Sequence, residues 1–282
     1  MSRGRPPIDA GKSCGLARAL SKLGYCSRSQ AQRLTKAGRV KVNGVVQRDP
    51  ERRVKAREDR IEVDEHLLRE EAKVYLVLNK PRGLVTTTSD EQGRETVFEC
   101  LPDFAPASIA SSNPSGDGPS SRGTGNSEVL PRVFPVGRLD KASEGLLLFT
   151  NDTAWAARIT APESHFDKTY HVQVDCLADS ILTQRMREGV TADGDFLAAK
   201  KAQLLRHGTK NSWLEVVLDE GKNRHIRRLL AALGVSVLRL VRVAVGPVQL
   251  GNLAQGRFRQ LTREEVLALA SLTKPSKTAS RR

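Results

Sequence analysis

The sequence predicts an α+β fold in two parts: a small, basic N-terminal module and a larger domain around a mixed but largely antiparallel sheet. Three observations lead to this prediction. The first 70 residues hold 17 basic and 9 acidic side chains, a denser positive charge than the rest of a chain whose net charge is +14. Apolar residues in that part follow two short helical patterns and one hairpin pattern. Later segments contain more strands than helices, without one-for-one alternation. A chain of 282 residues is long enough for both parts.

Two short helices begin the module predicted over residues 14–70. The first is predicted from three leucines at helical spacing and a glycine that can cap the helix, namely Leu16, Leu20, Leu23 and Gly24. The second begins at Ser27, which opens the capping-box pattern SRSQ, and ends at Gly38.

A hairpin follows the two helices. The pair Asn43-Gly44 lies between alternating apolar residues, which is a strong hairpin signal. Two helices and a hairpin with a basic surface resemble the RNA-binding module named after the fourth small-subunit ribosomal protein, over about residues 14–64. The resemblance implies that basic side chains of the module contact RNA phosphates, and the candidates are Arg28, Arg33, Lys36 and Lys41.

The larger domain is predicted over residues 71–272. Strands are predicted from the segments VYLVLNK, GLLLFT, KTYHVQVD, AKKAQLLR, SWLEVVLD and VLRLVRVAV. Helices are predicted from DSILTQRMREG, NRHIRRLLAALG and REEVLALASL. Residues 104–131 are rich in Ser, Gly, Pro and Asn, so we expect a disordered insertion there. Residues 1–13 and 273–282 are expected to be flexible basic tails.

Several classes of protein are disfavoured. No apolar stretch approaches the ~20 residues of a membrane helix, and the N-terminus lacks the apolar core of a signal peptide. We therefore expect a cytoplasmic protein without membrane contact. The four cysteines form no CxxC pair and the five histidines have no ligand spacing beside them, so no metal site or disulfide is expected.

One acidic residue stands out in the stretch FPVGRLDKASEGLLLFTND. Asp140 follows Arg138 and precedes an apolar strand, which predicts a position on a loop at the mouth of the sheet. An isolated aspartate in such a loop is more often a turn or capping residue paired with a neighbouring arginine. The segments around it decide between these interpretations.

Four segments, in order, resemble the motifs of the bacterial RsuA/RluB family of ribosomal RNA pseudouridine synthases. They are NKPRG at 79–83, GRLDKASEGLLLFTND at 137–152, KTYHV at 168–172 and EGKNRHIRRLL at 220–230. With the N-terminal module, the resemblance extends from about residue 14 to residue 265. It implies an enzyme that isomerises uridine to pseudouridine. His225 and the KASEG segment differ from the residues common in the family.

The resemblance also implies roles for three residues. Pseudouridylation breaks the bond between uracil and ribose and rejoins the base through carbon, so no cofactor is expected. Asp140 matches the indispensable carboxylate, which either attacks the anomeric carbon or removes a proton from the neighbouring carbon. Arg227 matches the cation that pairs with this carboxylate, and Tyr170 matches the tyrosine that stacks on the uracil.

Further basic residues are candidates for RNA contact. The target base must leave the RNA stack, and Arg138 is placed to occupy the gap. We expect phosphate contacts from Lys80, Lys222 and Arg224.

The sequence determines the RNA substrate less closely than it determines the reaction. We expect a monomer that acts on ribosomal RNA or on a ribosome-assembly intermediate, most closely like the large-subunit branch of the family. Small-subunit ribosomal RNA, transfer RNA and a non-catalytic role in ribosome assembly stay open as alternatives.

Overall fold

The computed structural model describes residues 13–56, 58–68, 72–88, 90, 92–104, 131–161 and 164–271. The chain divides into two compact units. The first extends to Lys73 and includes Asn151–Ala154. The second consists of Val74–Thr150 and the chain from Trp155 onward. Each unit has its own core.

The first unit begins with the two predicted helices, α1 (Leu16–Lys22) and α2 (Arg28–Lys36). The Ser27 hydroxyl accepts a hydrogen bond from the Gln30 N–H at 3.2 Å, so the predicted cap of α2 is confirmed. Gly24, which follows α1, has a φ of +87°, a conformation that glycine adopts without a steric cost. Apolar residues of both helices share one buried cluster with the strands of this unit.

The strands of the first unit form two small sheets. They are β1 (Cys14–Gly15), β2 (Val40–Val42), β3 (Val45–Gln47), β4 (Arg53–Val54), β5 (Ile61–Val63) and β6 (His66–Leu67). The first pairs with β4, and the others form a sheet in the order β3-β2-β5-β6. Asn43 and Gly44 have φ values of +54° and +81° between β2 and β3, as a two-residue hairpin turn requires, so the predicted hairpin is confirmed.

The second unit is built on a nine-stranded sheet. Its strands are β7 (Tyr75–Lys80), β8 (Phe134–Val136), β9 (Glu144–Thr150), β10 (Lys168–Val174), β13 (Lys201–His207), β14 (Ser212–Leu218), β15 (Val237–Val245), β16 (Val248–Gln249) and β17 (Phe258–Gln260). The order is β13-β14-β10-β15-β9-β7-β17, with β16 beside β15 and β8 beside β9. Only β9 and β15 pair in parallel among these described strands, so the largely antiparallel sheet is confirmed.

Four helices complete the second unit. They are α3 (Thr153–Thr160), α4 (Ser180–Glu188), α5 (His225–Ala232) and α6 (Arg263–Ser271). Apolar residues of α4 and α5 share a buried cluster with β10 and β14. Trp155 of α3 and Leu269 of α6 belong to another cluster, with Leu146 and Leu148 of β9. Packing in these clusters fixes the positions of the strands on which the candidate site lies.

Several elements of the second unit were not predicted, including one helix and one separate hairpin. Helix α3 is short, and the Asp152 carboxylate accepts a hydrogen bond from the Ala154 N–H at its start. Strands β11 (Val190–Ala192) and β12 (Asp195–Leu197) form a separate hairpin around Asp193 and Gly194. The Asp-Gly pair is a recognised hairpin signal, so this second element was detectable from the sequence.

The predicted insertion over 104–131 lies outside the described residues, except at its ends. Phe104 is an exception to the prediction, because it is buried and its ring packs edge-on against Phe258 at 5.8 Å. The predicted tails over 1–13 and 273–282 also lie outside the described residues, apart from Ser13. Among the helices that the structure describes, none has the length and apolar character needed to cross a membrane.

Candidate active site

A cavity of about 670 Å³ opens in the second unit. The loop before β9, the strands β10 and β15, and the loop that leads into α5 all contribute to its lining. Five of the predicted site residues line it together, namely Arg138, Asp140, Tyr170, Lys222 and Arg224. Residues far apart in the sequence therefore converge on one concave surface.

Asp140 lies on the loop between β8 and β9. The Thr86 hydroxyl donates a hydrogen bond to the Leu139 carbonyl at 2.8 Å, and the Ser143 N–H donates to the Asp140 carbonyl at 2.9 Å. These bonds and the buried Leu139 side chain hold the backbone of the loop. The Asp140 side chain is 38% exposed, so its carboxylate is accessible to a substrate.

Arg224 forms an ion pair with the Asp140 carboxylate. Its Nη1 lies 3.9 Å from Asp140 Oδ2, and the Arg224 side chain is 53% exposed. An exposed pair at this distance contributes little to stability. Arg224 precedes α5 with a φ of +49°, a left-handed conformation that is costly for arginine. Strained residues of this kind are concentrated at functional sites.

The structure corrects the pairing predicted for Arg227. Among the described residues no carboxylate lies within the 4.0 Å ion-pair distance of its guanidinium. Instead, Arg227 Nη2 donates to the Ala142 carbonyl at 3.0 Å, and Nη1 lies 3.4 Å from the Val237 carbonyl. Burial lowers the pKa of Arg227, while the Asp140 charge raises it. Arg227 therefore holds the loop two residues beyond Asp140.

The phosphate contact predicted for Lys80 is also corrected. The Lys80 side chain is fully buried at the end of β7. Its amine donates to the carbonyl oxygens of Pro81, Asp140 and Ser143 at 3.1, 3.2 and 2.9 Å. A buried ammonium with these partners stabilises the backbone of the Asp140 loop and does not contact an RNA phosphate. Burial lowers the pKa of Lys80 to about 8, although the charges of Asp140 and Glu144 raise it.

This pKa predicts a pH-dependent contribution to stability. Since the pKa of Lys80 in the folded protein is about 8, below its ordinary value of 10.5, the unfolded chain binds more protons between these values. The free energy of unfolding should therefore rise with pH across this window, by up to about 3 kcal/mol. The Lys80→Met variant lacks this contribution. Urea denaturation of both proteins from pH 7.5 to 10.5 measures the difference, and parallel pH profiles would contradict the prediction.

Tyr170 and Arg138 occupy positions that suit contact with a nucleotide. Tyr170 is half-buried on β10, between Val216 of β14 and Arg242 of β15, and its ring packs against two core clusters. It leaves an aromatic surface in the cavity. Arg138 is exposed, two residues before Asp140. The stacking role of Tyr170 and the gap-filling role of Arg138 stay predictions.

The remaining basic candidates differ in exposure and in the contacts that their side chains form within the protein. The Lys222 amine donates to the Phe196 carbonyl at 2.7 Å and pairs with Glu220 at 3.0 Å, so contacts within the protein already occupy it. In the first unit Lys41 is half-buried and pairs with Glu65 at 2.6 Å. Three basic side chains of α2 are exposed, namely Arg28, Arg33 and Lys36.

Two cavity residues were missed at the level of sequence. Lys168 and Arg242 line the same cavity as Tyr170. Lys168 has a local signal, since it lies two residues before Tyr170 on one strand and shares a face with it. Arg242 has none, because only the pairing of β10 with β15 brings it opposite Tyr170. The described part of the chain contains no group of three His, Cys, Asp or Glu side chains that could hold a metal ion.

Two family models match the chain. The model described as RNA pseudouridylate synthase matches residues 74–232, and the S4 domain model matches residues 14–61. The first match covers more than half of the chain and includes Asp140, Tyr170 and Arg227.

Full-length relatives agree with these models. An uncharacterized RNA pseudouridine synthase of Aquifex aeolicus is 35% identical over 251 residues, 89% of this chain and 91% of the relative. The ribosomal large subunit pseudouridine synthase B of Bacillus subtilis is 31% identical over 266 residues, 94% of this chain and 98% of the relative. A crystal structure of a pseudouridylate synthase is similar with a TM-score of 0.58 and 28% identity, covering 91% of this chain and all of that one.

Proposed function

The chain belongs to the RNA pseudouridylate synthase family, and from this premise we propose that it converts one uridine of large-subunit ribosomal RNA to pseudouridine with Asp140 as the reacting carboxylate. The observation that carries the proposal is the position of Asp140, a partly exposed carboxylate in a cavity that Tyr170 also lines. The choice of large-subunit RNA is supported by the similarity to the B. subtilis enzyme.

The proposed reaction begins when the target nucleotide leaves the RNA stack and enters the cavity. Asp140 then attacks C1′ of the ribose or takes a proton from C2′, and the bond from C1′ to the uracil N1 breaks. The free base turns and C5 bonds to C1′, while the bond from Asp140 to C1′ breaks or the proton taken from C2′ returns to that carbon. The C5 proton is then lost and N1 gains a proton. Because the reaction is an isomerisation, the proposal requires no cofactor.

Neighbouring side chains have distinct proposed roles. Tyr170 stacks on the uracil, and Arg138 fills the space that the flipped base leaves. Arg224 is the mobile cation at the carboxylate, because its pair with Asp140 is long and exposed. Arg227 and Lys80 are positioning residues, since both bind backbone carbonyls of the loop that carries Asp140.

RNA affinity is proposed to come from both units. The exposed side chains of Arg28, Arg33 and Lys36 are available to phosphates, which position RNA without reading its sequence. We propose that the protein acts as a monomer. A ribosomal RNA substrate also supports a cytoplasmic location.

Pseudouridine mapping of total RNA tests the proposed substrate. RNA from cells that lack the gene is compared with RNA from the same cells complemented with the wild-type gene. We expect one uridine of large-subunit ribosomal RNA to lose its modification and to regain it on complementation. A site that is lost in small-subunit or transfer RNA would overturn the large-subunit assignment. Unchanged modification at every site would overturn the proposed substrate altogether.

A further inference from the structure

Two cationic side chains, Lys168 and Arg242, lie on the cavity side of the sheet and have no role in the reaction proposed above. Tyr170 and Arg242 are partners across β10 and β15. Lys168 is two residues before Tyr170, so the three side chains point to the same face of the sheet. All three line the cavity. The cations therefore lie beside the ring proposed to stack on the base.

The Arg242 side chain has unused hydrogen-bond donors. The residue is only 7% exposed, and its Nε donates to the Leu146 carbonyl at 2.7 Å. Within the part of the chain that the structure describes, its two terminal nitrogens form no hydrogen bond and no ion pair with a carboxylate. Buried cations are normally paired, because burial of an uncompensated charge is costly. The open side of this guanidinium is available to an acceptor in the cavity.

Lys168 is in a similar position. No hydrogen bond or ion pair joins its amine to another described residue. Asp219 lines the same cavity without forming an ion pair with Lys168, and the Asp167 carboxylate pairs with Lys200 at 2.6 Å. Burial lowers the pKa of Lys168, and the charge of Arg242 lowers it further. The charges of Asp219 and Asp167 raise this pKa, but neither carboxylate forms an ion pair with Lys168, so a bound group that carries negative charge would stabilise both cations.

The strand register indicates which part of the nucleotide meets these cations. Strand β9 follows the Asp140 loop, and its first residues, Glu144 and Gly145, pair with Val241 and Arg242. Lys168 pairs with Val245, about 7 Å further along the sheet than Tyr170. A uracil stacked on Tyr170 with its ribose towards Asp140 would therefore direct its far edge towards the cations.

We propose that Arg242 and Lys168 hold the carbonyl edge of the flipped uracil and stabilise the negative charge that develops on the base when its bond to ribose breaks. This inference rests on the proposed function and adds two catalytic residues to it. When the bond from C1′ to N1 breaks, the electron pair stays on N1 and spreads to the O2 and O4 oxygens. The charge on the base is the same whether Asp140 forms a bond to C1′ or takes the C2′ proton. The charge is lost again when C5 bonds to C1′ and the C5 proton leaves.

A backbone phosphate fits the two cations less well. It is attached to the ribose, which lies at the Asp140 end, where the exposed arginines Arg138 and Arg224 are available. Its charge also stays constant throughout the reaction, so a phosphate contact would change affinity more than rate. This difference separates the two possibilities by experiment.

The test compares the single-turnover rate constants for breaking the bond between base and ribose in two RNAs, one with uridine and one with 5-fluorouridine at the target position. Because 5-fluorouracil has no C5 proton to lose, loss of the starting nucleotide is measured for both RNAs. Fluorine withdraws electrons and stabilises the departing base, so less help is needed from the protein. We expect Lys168→Met to lower the rate constant with uridine by about 100-fold, the loss typical of a missing oxyanion donor. The loss should be clearly smaller with 5-fluorouridine, and RNA affinity should be unchanged. Lys168→Arg should restore much of the rate, because it keeps the charge.

Controls separate this result from other causes. Lys201→Met removes an exposed lysine from β13, where it pairs with Glu215 at 3.1 Å, and should leave both rates unchanged. An equal loss with both RNAs, full activity of Lys168→Met, or a loss explained by weaker RNA binding would overturn the inference. Failure of the proposed function is a different outcome, in which the wild-type protein converts neither RNA.

Discussion

Asp140→Asn is expected to abolish pseudouridine formation while RNA binding and folding stay intact. The asparagine amide has the shape of the carboxylate but can neither attack C1′ nor accept a proton from C2′. The bonds that hold this loop go to backbone atoms, so the change removes none of them. We expect the single-turnover rate constant to fall by roughly 10⁴-fold or more, as when other enzymes lose a reacting side chain.

The measurement is conversion of an RNA that contains the target uridine, with RNA affinity determined in parallel. Asp193→Asn is a matched control. Asp193 has a φ of +50° in the turn between β11 and β12, a conformation that asparagine accepts, and it does not line the cavity. This control should keep full activity. A rate for Asp140→Asn close to that of the wild type would rule out Asp140 as the reacting group.

Among the variants proposed here, Gly145→Ala is expected to cause the largest decrease in the free energy of unfolding. Gly145 lies where β9 and β15 pair in parallel, and it has a φ of +100°. A Cβ atom there would lie 2.3 Å from the Arg242 carbonyl oxygen and 2.8 Å from its backbone nitrogen. Because backbone atoms of a central strand cannot move aside cheaply, we expect a loss of about 3 to 5 kcal/mol in the free energy of unfolding.

The Gly83→Ala variant measures the cost of placing alanine in a left-handed backbone conformation without the steric clash that Gly145→Ala adds. Gly83 has a φ of +103°, but a Cβ atom there would meet no other atom within 4 Å. This variant should lose only about 1 to 2 kcal/mol. Both tryptophans, Trp155 and Trp213, belong to the second unit, so their fluorescence during urea denaturation reports on the unit that holds Gly145. Equal losses for the two variants would show that crowding at Gly145 is unimportant.

Local chemistry made much of the fold predictable. The cap at Ser27 and the Asn43-Gly44 turn depend on residues within one helical turn or one hairpin, so the sequence reveals them directly. The excess of strands over helices, without one-for-one alternation, likewise predicted a largely antiparallel sheet. Helix α3 was not predicted, and Phe104 was placed in a loop because its burial depends on the distant Phe258.

The candidate site was likewise predictable only where it depends on residues close together in the sequence. The motif around Asp140 predicted an acid on a loop before a buried strand, and the resemblance of two other segments to the family implied Tyr170 and Arg227 as its partners. Only the tertiary structure decided which cation faces the acid, that the Lys80 amine lies beneath the loop, and that Arg242 lies opposite Tyr170. The physical reason is that capping, turns and apolar periodicity act between near neighbours in the chain. Charge pairing in the cavity depends instead on the register of strands that are separated by many residues.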